Sequence, residues 1–386
     1  MANGDGTAVV NSWNEWDTLR EVVVGSADGA CYEPTEPGNR PQVRDRPDEP
    51  FPTGPKPPEV IAKANEELDR LAEVLESRGI VVRRPAPYDF SQPLRTPHFG
   101  VENQYCAVCP RDVMITVGNE IIEATMSRRA RYFEYEPYRH LVYEYWESDP
   151  RISWTVAPKP TMASAMYREE FWTWPLEERH RRMHQSEFCV TQDEVVFDAA
   201  DMNRFGRDIV VQESMTTNRA GIRWLKRHLE PRGFRVHPVH FPLDYFPSHI
   251  DCTFVPLRTG LILTNPDRPL REDEVALFTE NDWKLVEAPE PVLSNSEMPT
   301  HCQSSKWLSM NVLSISPTTV ICEEQEAPLH DLLTDMGFEV LTVPFRNVFE
   351  FGGSLHCATW DIRRDGTAED LFPRAKYTPL TAGSSR

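Results

Sequence analysis

Residues 329–345, LHDLLTDMGFEVLTVPF, carry the pattern on which the fold prediction rests. Leucines at helical spacing lead up to Gly337, and an alternating segment rich in β-branched residues follows it. Glycine is common just past the end of a helix, and such alternation is typical of a strand. The stretch therefore predicts a helix, a glycine turn and a strand, and the apolar residues 319–324 before it predict another strand.

The same order of elements recurs along the chain. Gly79, Gly233 and Trp283 stand in the corresponding position between a helical pattern and a strand pattern. Gly233, Trp283 and Gly337 follow one another at intervals of 50 and 54 residues, and Gly79 lies 154 residues before Gly233. A period in this range is typical of repeated supersecondary units that share a core. Such units form either an open doubly wound sheet or a ring, and we favour the ring.

Charge and composition exclude several classes of protein. The 386 residues include 41 lysines and arginines against 60 aspartates and glutamates, a net charge of −19. Such a field repels phosphate backbones, so nucleic acid is not an expected partner. No apolar run approaches the roughly 20 residues that span a bilayer, and no GxGxxG or P-loop string occurs. Residues 1–7 lack the pattern of a signal peptide, so the cytoplasm is the expected location.

Cysteine and proline mark two further features. The eight cysteines are too sparse for a disulfide framework, and we expect free thiols. The pair Cys106 and Cys109 has metal-ligand spacing, but no second such pair follows it. Nine prolines crowd residues 32–58, which predicts a surface loop. Long loops without secondary structure are often lids over a site.

The segment FGGSLHCATWD, residues 351–361, contains the most reactive candidate, Cys357. A thiol becomes a nucleophile where a histidine or a positive field favours the thiolate. His249 and Asp251, two residues apart, share one face if their segment is extended. Several aspartates around a thiol suit a guanidinium substrate, because carboxylates pair with it bidentately. A cysteine near a strand is also commonly a buried apolar residue, so the pattern alone leaves both interpretations open.

Two neighbouring residues receive structural interpretations. Asp201, three residues beyond Asp198, is interpreted as a helix cap rather than a substrate contact. His356 should point away from Cys357 if the segment is extended, and it is interpreted as structural. His180 and His184 have the spacing of a helical metal pair but lack the glutamate of HExxH, so we expect an exposed charged helix.

Four long strings, in this order, resemble the arginine amidinotransferases, a family that includes glycine and inosamine-phosphate amidinotransferases. They are FDAADMNRFGRD (197–208), HIDCTFVPLRTGLILTNPDRP (249–269), SSKWLSMNVL (304–313) and FGGSLHCATWDIRRDGT (351–367). Residues 10–30 and 117–124 are similar to the family as well. The resemblance implies an α/β fold, a five-bladed α/β propeller of repeated strand-helix-strand units. It also implies a single catalytic domain over 1–386, with its core at about 10–372 and a tail at 373–386.

The resemblance also implies roles for individual residues. Cys357 resembles the nucleophile, His249 the general acid and base, and Asp198 the partner of that histidine. The residues implied in substrate binding are Asp112 and Asp251, for the guanidinium, and Arg268, Ser304 and Ser305, for the α-carboxylate of the donor. The implied reaction passes the amidino group of L-arginine through Cys357 to a primary amine and releases L-ornithine, with no metal or cofactor required.

The acceptor is the open part of this prediction. Phe246 and Ser248 stand where the creatine-pathway members carry asparagine and methionine, so the acceptor gate differs. Glycine or a short amino acid is favoured, in a natural-product or guanidino-compound pathway. Lysine, another amine or an aminocyclitol phosphate remain alternatives, and basic residues at 128–132 or 363–364 would suit a phosphate.

Three other functions remain to be distinguished. A hydrolase of the arginine deiminase type would use the same thiol, histidine and acids. A noncatalytic binding protein would lack reactive groups. A zinc-binding structural protein would use Cys106, Cys109 and the His-Cys pairs at 301–302 and 356–357. A homodimer is expected from the family resemblance alone, because the sequence itself contains no self-association signal.

Overall fold

The computed structural model describes residues 8–242 and 249–380, a mixed α/β structure. Its strands are β1 (Leu19–Val24), β2 (Val81–Arg83), β3 (Leu94–Arg95), β4 (Gly100–Val101), β5 (Met114–Val117), β6 (Glu120–Glu123), β7 (Ser153–Val156), β8 (Met202–Phe205), β9 (Asp208–Gln212), β10 (Arg235–Val239), β11 (Phe254–Arg258), β12 (Leu261–Thr264), β13 (Lys284–Glu287), β14 (Leu313–Ser316), β15 (Thr319–Glu323), β16 (Glu339–Val343) and β17 (Thr359–Arg364). Its α-helices are α1 (Pro58–Ser77), α2 (Pro110–Val113), α3 (Arg139–Ser148), α4 (Leu176–Met183), α5 (Arg219–Leu229), α6 (Glu272–Thr279) and α7 (Ala327–Asp335).

Five sheets of three strands each dominate the described part of the chain. In each sheet the middle strand pairs antiparallel with one neighbour and parallel with the other. Helices α1, α3, α5, α6 and α7 provide the five crossovers that parallel pairing requires. The repeated strand-helix-strand unit predicted from the sequence is therefore confirmed, and the interval 80–230 contains a unit of its own, built on β5, β6 and β7.

In four of the five units, the turn between helix and strand contains a residue in the left-handed conformation. Gly79, Gly233 and Gly337 adopt it, with φ of 77°, 91° and 86°. In the unit of α6 and β13 the prediction for Trp283 is wrong, because Asp282 takes this conformation with φ of 64°. A short polar side chain tolerates that region, and the next residue, Trp283, is buried in the core at 3% exposure.

The two ends of the described chain meet in one sheet. β1 pairs antiparallel with β17, from Val24 opposite Thr359 to Leu19 opposite Arg364. Single bridges join the segment before β1 to two other sheets, Ser12 to Gly118 and Asn14 to Phe205. This segment therefore connects three of the five sheets.

A cluster of charged side chains is buried beside this segment, and we call it the buried ion cluster. Its members are Glu15, Arg111, Arg204, Asp361 and Arg364, all at most 5% exposed. Asp361 accepts hydrogen bonds from three guanidinium groups, at 2.7, 2.7 and 2.8 Å. The fold therefore encloses a group of ion pairs, centred on Asp361, among its apolar residues.

The proline-rich loop contains no helix or strand from residue 32 to residue 57, and α1 begins at Pro58. It is less superficial than the sequence predicted. Arg44 is buried and donates to the backbone oxygens of Cys302 and Ser304, at 2.8 and 2.6 Å. Trp172 Nε1 donates to the backbone oxygen of Pro37 at 2.8 Å. The loop is thus fastened to two distant segments.

No helix in the described ranges is long and apolar enough to cross a membrane.

Candidate active site

Cys357 lies in a turn at residues 355–358, directly before β17, and is 3% exposed. Its Sγ is 3.3 Å from Oδ2 of Asp251. The expectation that His356 points away is wrong, because the alternation of an extended chain does not apply in a turn. Nδ1 of His356 lies 2.9 Å from the same Asp251 oxygen. Two adjacent side chains therefore reach one carboxylate.

Asn311 positions this turn. Its Oδ1 accepts hydrogen bonds from the backbone N–H groups of His356 and Cys357, at 3.0 Å each. Its Nδ2 donates to the backbone oxygen of Asp251 at 3.1 Å. A single buried amide thus joins the thiol to the segment that carries the carboxylate. Asn311 lies within one of the strings that carry the family resemblance, yet sequence reasoning did not single it out.

His249 lies between two carboxylates. Its Nε2 is 3.3 Å from Oδ2 of Asp198, and its Nδ1 is 3.6 Å from Oδ1 of Asp112. The predicted extended segment is wrong, because residues 250–252 form a single turn of 3-10 helix. Asp198 directly precedes a 3-10 turn, which leads into β8.

The two carboxylates keep the imidazole charged. Burial alone lowers the pKa of His249, but the charge of Asp112 and the hydrogen bond to Asp198 outweigh it and raise the pKa to about 10. His249 is therefore protonated at neutral pH. An imidazolium in this position can donate a proton to a reacting group nearby.

Asp251 and Cys357 take opposite protonation states. Burial raises the pKa of Asp251, but the hydrogen bond and charge of His356 overcome this and lower it to about 2. The hydrogen bond with Cys252, followed by burial and the charge of Asp251, raises the pKa of Cys357 well above its ordinary value. The carboxylate is therefore ionised, whereas the thiol stays neutral in these surroundings.

Three side chains that could bind a metal ion lie close together around Cys357. The ligand atoms of Asp251, Cys252 and Cys357 lie within 4.8 Å of one another. Within residues 8–242 and 249–380 this is the only such group, and it includes neither Cys106 nor His301. The zinc alternative therefore does not find its proposed ligands together in the described chain. All eight cysteines are buried and carry free thiols.

Asp112, in the short helix α2, is already joined to an arginine of the chain. Its Oδ2 accepts from Nη1 of Arg131 at 2.9 Å. The other nitrogens of Arg131 bind Glu134 at 2.7 and 2.5 Å. Oδ1 of Asp112 faces His249 and has no hydrogen-bond partner among the described residues. One carboxylate oxygen therefore remains directed at the site.

An open pocket, which we call the catalytic pocket, lies beside these groups; Asp112, His249 and Cys357 line it, whereas Asp198 and Asp251 are not among its lining residues in the described chain. It contains about 710 Å³ of empty space, part of it open to solvent. Its lining residues are Glu33, Tyr105, Asp112, Arg128, Arg131, Ser214, Met215, Thr216, His249, Cys252, Gln303, Ser304, Phe351, Gly352 and Cys357. Glu33, from the proline-rich loop, was not predicted, because its place in the pocket depends on how the loop folds back.

The predicted carboxylate clamp is only partly assembled. Ser304 lines the catalytic pocket, and its Oγ donates to the backbone oxygen of Gly352 at 2.8 Å. Ser305 is buried, and its Oγ accepts from the backbone N–H of Trp307 at 3.3 Å, which caps a 3-10 turn. Arg268 is buried and contacts the hydroxyl of Thr253. Ser305 and Arg268 are not among the lining residues in the described chain. The gate residues Phe246 and Ser248 lie outside the described residues.

Asp201 is a support of the pocket wall, so its interpretation as a helix cap is wrong. Its carboxylate accepts hydrogen bonds from Gln212 at 3.0 Å, from Ser214 at 2.6 Å and from Thr216 at 2.8 Å. Ser214 and Thr216 line the catalytic pocket. Gln212 is the last residue of β9, and the turn after this strand brings Ser214 and Thr216 over the carboxylate.

Comparison with known proteins shows three close likenesses. The glycine amidinotransferase of Gallus gallus, a mitochondrial protein, is 40% identical over 366 residues, which cover 94% of this chain and 85% of the relative. The L-arginine:L-lysine amidinotransferase of Pseudomonas savastanoi pv. phaseolicola is 38% identical over 374 residues, covering 95% of this chain and 97% of the relative. A solved amidinotransferase of the saxitoxin biosynthetic pathway of Microseira wollei superposes with a TM-score of 0.83 at 39% identity, covering 95% of this chain and all of that one.

These likenesses extend over nearly the whole chain, and each of these relatives is a transferase. The protein is therefore an enzyme of the amidinotransferase class. The chain belongs to the arginine amidinotransferase family. No protein-family model matches it.

Proposed function

We propose that this protein transfers the amidino group of L-arginine to a primary amine, by way of a covalent intermediate on Cys357, and releases L-ornithine. The observation that carries the proposal is that Cys357 and the His249 imidazolium line one pocket, with the Asp251 carboxylate 3.3 Å from Sγ of Cys357. A cationic substrate suits this pocket, because the oxygen of Asp112 that faces His249 has no hydrogen-bond partner in the described chain.

Binding of the guanidinium prepares the thiol for attack. The planar cation pairs with Asp251, 3.3 Å from Sγ, and with the inward oxygen of Asp112. A positive charge at this position favours the thiolate, which burial and the neighbouring carboxylate otherwise oppose. Cys357 therefore loses its proton to solvent as the substrate enters, and the sulfur lies in contact with the electrophilic carbon.

The first half of the reaction exchanges nitrogen for sulfur. The thiolate of Cys357 adds to the guanidinium carbon, and a tetrahedral adduct forms. His249 donates its proton to the departing nitrogen, so the C–N bond breaks and neutral ornithine leaves. The amidino group stays on Sγ as a thiouronium cation, opposite Asp251.

The second half reverses these steps with a new amine. The acceptor attacks the same carbon, and neutral His249 takes the proton from its nitrogen. The C–S bond breaks, the thiolate leaves, and the new guanidine departs. Asp198 acts throughout as the partner that orients His249 and stabilises its charged form, from 3.3 Å. Arg268, Ser304 and Ser305 are proposed to hold the α-carboxylate of the donor.

The acceptor is a primary amine. Glycine and short amino acids, in a natural-product or guanidino-compound pathway, are the acceptors that the sequence favours. A relative that uses lysine, as its name states, is 38% identical. The alternative reaction is hydrolysis of the arginine deiminase type, and the test below must distinguish it from amidino transfer.

We also infer that the five sheets are the blades of a five-bladed propeller within a single catalytic domain. The support is the equivalence of the five units and the pairing of β1 with β17. The segment at 11–14, bridged to three sheets, fits a ring in which the blades surround one axis. Assembly as a homodimer and location in the cytoplasm stay predictions.

A product assay tests the proposed activity. The enzyme is incubated with L-arginine, with and without a panel of amines, and ornithine, citrulline and guanidino products are quantified. Ornithine formation that requires an amine, with parallel lines in double-reciprocal plots, is expected. Cys357→Ala should be inactive, whereas Cys322→Ala, which removes a buried thiol from β15, should retain activity. Citrulline without any guanidino product would contradict the transfer.

A further inference from the structure

A second chamber opens beside the catalytic pocket, and we call it the outer chamber. The two share the residues Arg128, Met215, Thr216 and Gln303 as a common wall. The outer chamber contains about 810 Å³ of empty space, part of it open to solvent. The two pockets therefore adjoin each other along these four residues.

The charge of the outer chamber is opposite to that of the chain. Its lining includes Arg40, Arg128, Arg179 and His180, and it contains no aspartate or glutamate among the described residues. The whole protein carries a net charge of −19. The catalytic pocket, in contrast, includes Glu33 among its acids. Three of the basic residues, Arg40, Arg179 and His180, line the outer chamber and not the catalytic pocket.

Specific contacts hold the residues that line the outer chamber in place. Arg128 is held by Glu33, with its Nη1 at 2.8 and 2.7 Å from the two carboxylate oxygens. The guanidinium of Arg179, on helix α4, lies 5.6 Å from the ring centre of Trp172. The same indole donates to the backbone oxygen of Pro37, and so it fastens the proline-rich loop opposite α4. Two segments that are distant in sequence thus form one basic surface.

We propose that the outer chamber binds the anionic end of the acceptor, a carboxylate or phosphate that a spacer separates from the reacting amine. This inference rests on the proposed function and selects among its acceptors. Guanidinium groups bind carboxylate and phosphate oxygens by paired hydrogen bonds. The favoured substrates are ω-amino acids, lysine and aminoalkyl phosphates. Glycine is disfavoured, because its amine and its carboxylate share one carbon and cannot occupy both chambers.

The apolar part of the lining fits the spacer. Phe171, Leu176, Met183 and Met215 line the chamber beside its basic groups. Methylene groups between amine and anion lose contact with water against such side chains, which favours binding. The basic groups of the outer chamber attract the anionic end, so the amine is the end that faces Cys357.

The first experiment compares acceptors at fixed L-arginine. The panel is glycine, 5-aminopentanoate, 3-aminopropyl phosphate and butylamine, which has the spacer but no anion. The expected kcat/KM is about tenfold or more higher for the two long anionic amines than for glycine and butylamine. Comparison of the two anionic amines distinguishes a carboxylate from a phosphate. Equal or better use of glycine would overturn the inference.

The second experiment removes the charge. Arg179→Gln should lower kcat/KM for the long anionic amines by about tenfold and leave butylamine unchanged. Arg181→Gln is the matched control, since Arg181 is on the same helix, is bound to Glu178 and does not line the chamber. Arg40→Gln repeats the test from the proline-rich loop, in case Arg179→Gln folds poorly.

Single-turnover formation of the amidino-enzyme from L-arginine distinguishes failure of the outer-chamber proposal from failure of the proposed function. Normal adduct formation without selectivity for anionic amines would refute the outer chamber and leave the proposed function intact. Failure of the native enzyme to form the adduct would refute the proposed function. If Arg179→Gln slows adduct formation as much as it slows transfer, the chamber holds the α-carboxylate of the donor, and the acceptor assignment is wrong.

Discussion

The catalytic pocket and the buried ion cluster are made of the same groups and differ in how completely the charges are paired. In the buried ion cluster, the two oxygens of Asp361 accept from three guanidinium groups. At the catalytic pocket, Asp112 and Asp198 each keep an oxygen without a hydrogen-bond partner in the described chain. Both sets of carboxylates are buried, at no more than 6% exposure.

The difference separates structural acids from binding acids. A buried carboxylate with several cationic partners is stabilised by its surroundings, and the charges of three arginines hold the pKa of Asp361 well below its usual range despite burial. A buried carboxylate with a free oxygen favours the arrival of another cation. The catalytic pocket therefore holds unsatisfied negative charge that a guanidinium substrate neutralises, at some expense to stability.

The largest effect is expected in the buried ion cluster. Asp361→Asn leaves three arginines without their shared counter-charge, and breaking such a buried group lowers the free energy of unfolding by about 3–5 kcal/mol. Urea denaturation of the two proteins measures it. A change below about 1 kcal/mol would mean that the arginines find other partners, and the contrast with the pocket would not hold.

The same substitution at the catalytic pocket should affect activity instead. Asp198→Asn removes the partner of His249 Nε2, at 3.3 Å, and should lower kcat at least about 100-fold. The free energy of unfolding should change by less than about 1 kcal/mol, because an incompletely paired carboxylate contributes little to folding. Steady-state kinetics and urea denaturation on one preparation test both statements. Large destabilisation with normal kcat would reverse the assignment.

The charge on His249 gives a dependence of stability on pH. The pKa of His249 in the folded protein, about 10, is above its ordinary value of 6.5, so the charged form stabilises the fold. That contribution is complete below about pH 6.5 and is lost as the pH rises through about 10. The stability of the native protein relative to His249→Gln should therefore fall by several kcal/mol across this window, at about 1.4 kcal/mol for each unit of pKa shift.

Thermal or urea denaturation at several pH values measures this difference. His98→Gln, at an exposed position, is the control and should follow the native protein at every pH. A difference between the native protein and His249→Gln that stays constant from pH 6.5 to 10 would show that the imidazole is not held charged.

The smallest effect is expected for an ion pair on the surface. Arg78 and Glu339 form a two-pronged pair at 2.7 and 3.0 Å, with side chains 39% and 51% exposed. Arg78→Gln should change the free energy of unfolding by less than about 0.5 kcal/mol, because solvent screens exposed pairs. A loss as large as that of Asp361→Asn would mean that pairing, rather than burial, sets the contrast.

The repeated units could be predicted because their signals are local. Helical spacing up to Gly337 followed by alternation describes α7 and β16 without knowledge of the rest of the chain. The same reasoning failed for Trp283. The left-handed position at this turn, expected at Trp283 where the other units have glycine, is occupied by Asp282. Local patterns therefore locate the elements and leave single positions uncertain.

The candidate site was predictable only where a residue belongs to a recognisable string. Cys357, His249 and Asp198 were named in this way, and they lie within one site. Asn311, Glu33 and the partners of Asp112 depend on which segments come together in space, and no spacing in the sequence expresses that. The errors about His356 and the 250–252 turn have one cause, the assumption of extended backbone where the chain turns.

The central claim is that Cys357 carries the amidino group. Intact-mass spectrometry of the protein mixed with L-arginine and no acceptor tests it directly, followed by peptide mapping of residues 351–361. The account predicts a mass increase of one amidino group on Cys357, stoichiometric release of ornithine, and neither change in Cys357→Ala. Ornithine release with an unmodified Cys357, or an adduct at another residue, would contradict it.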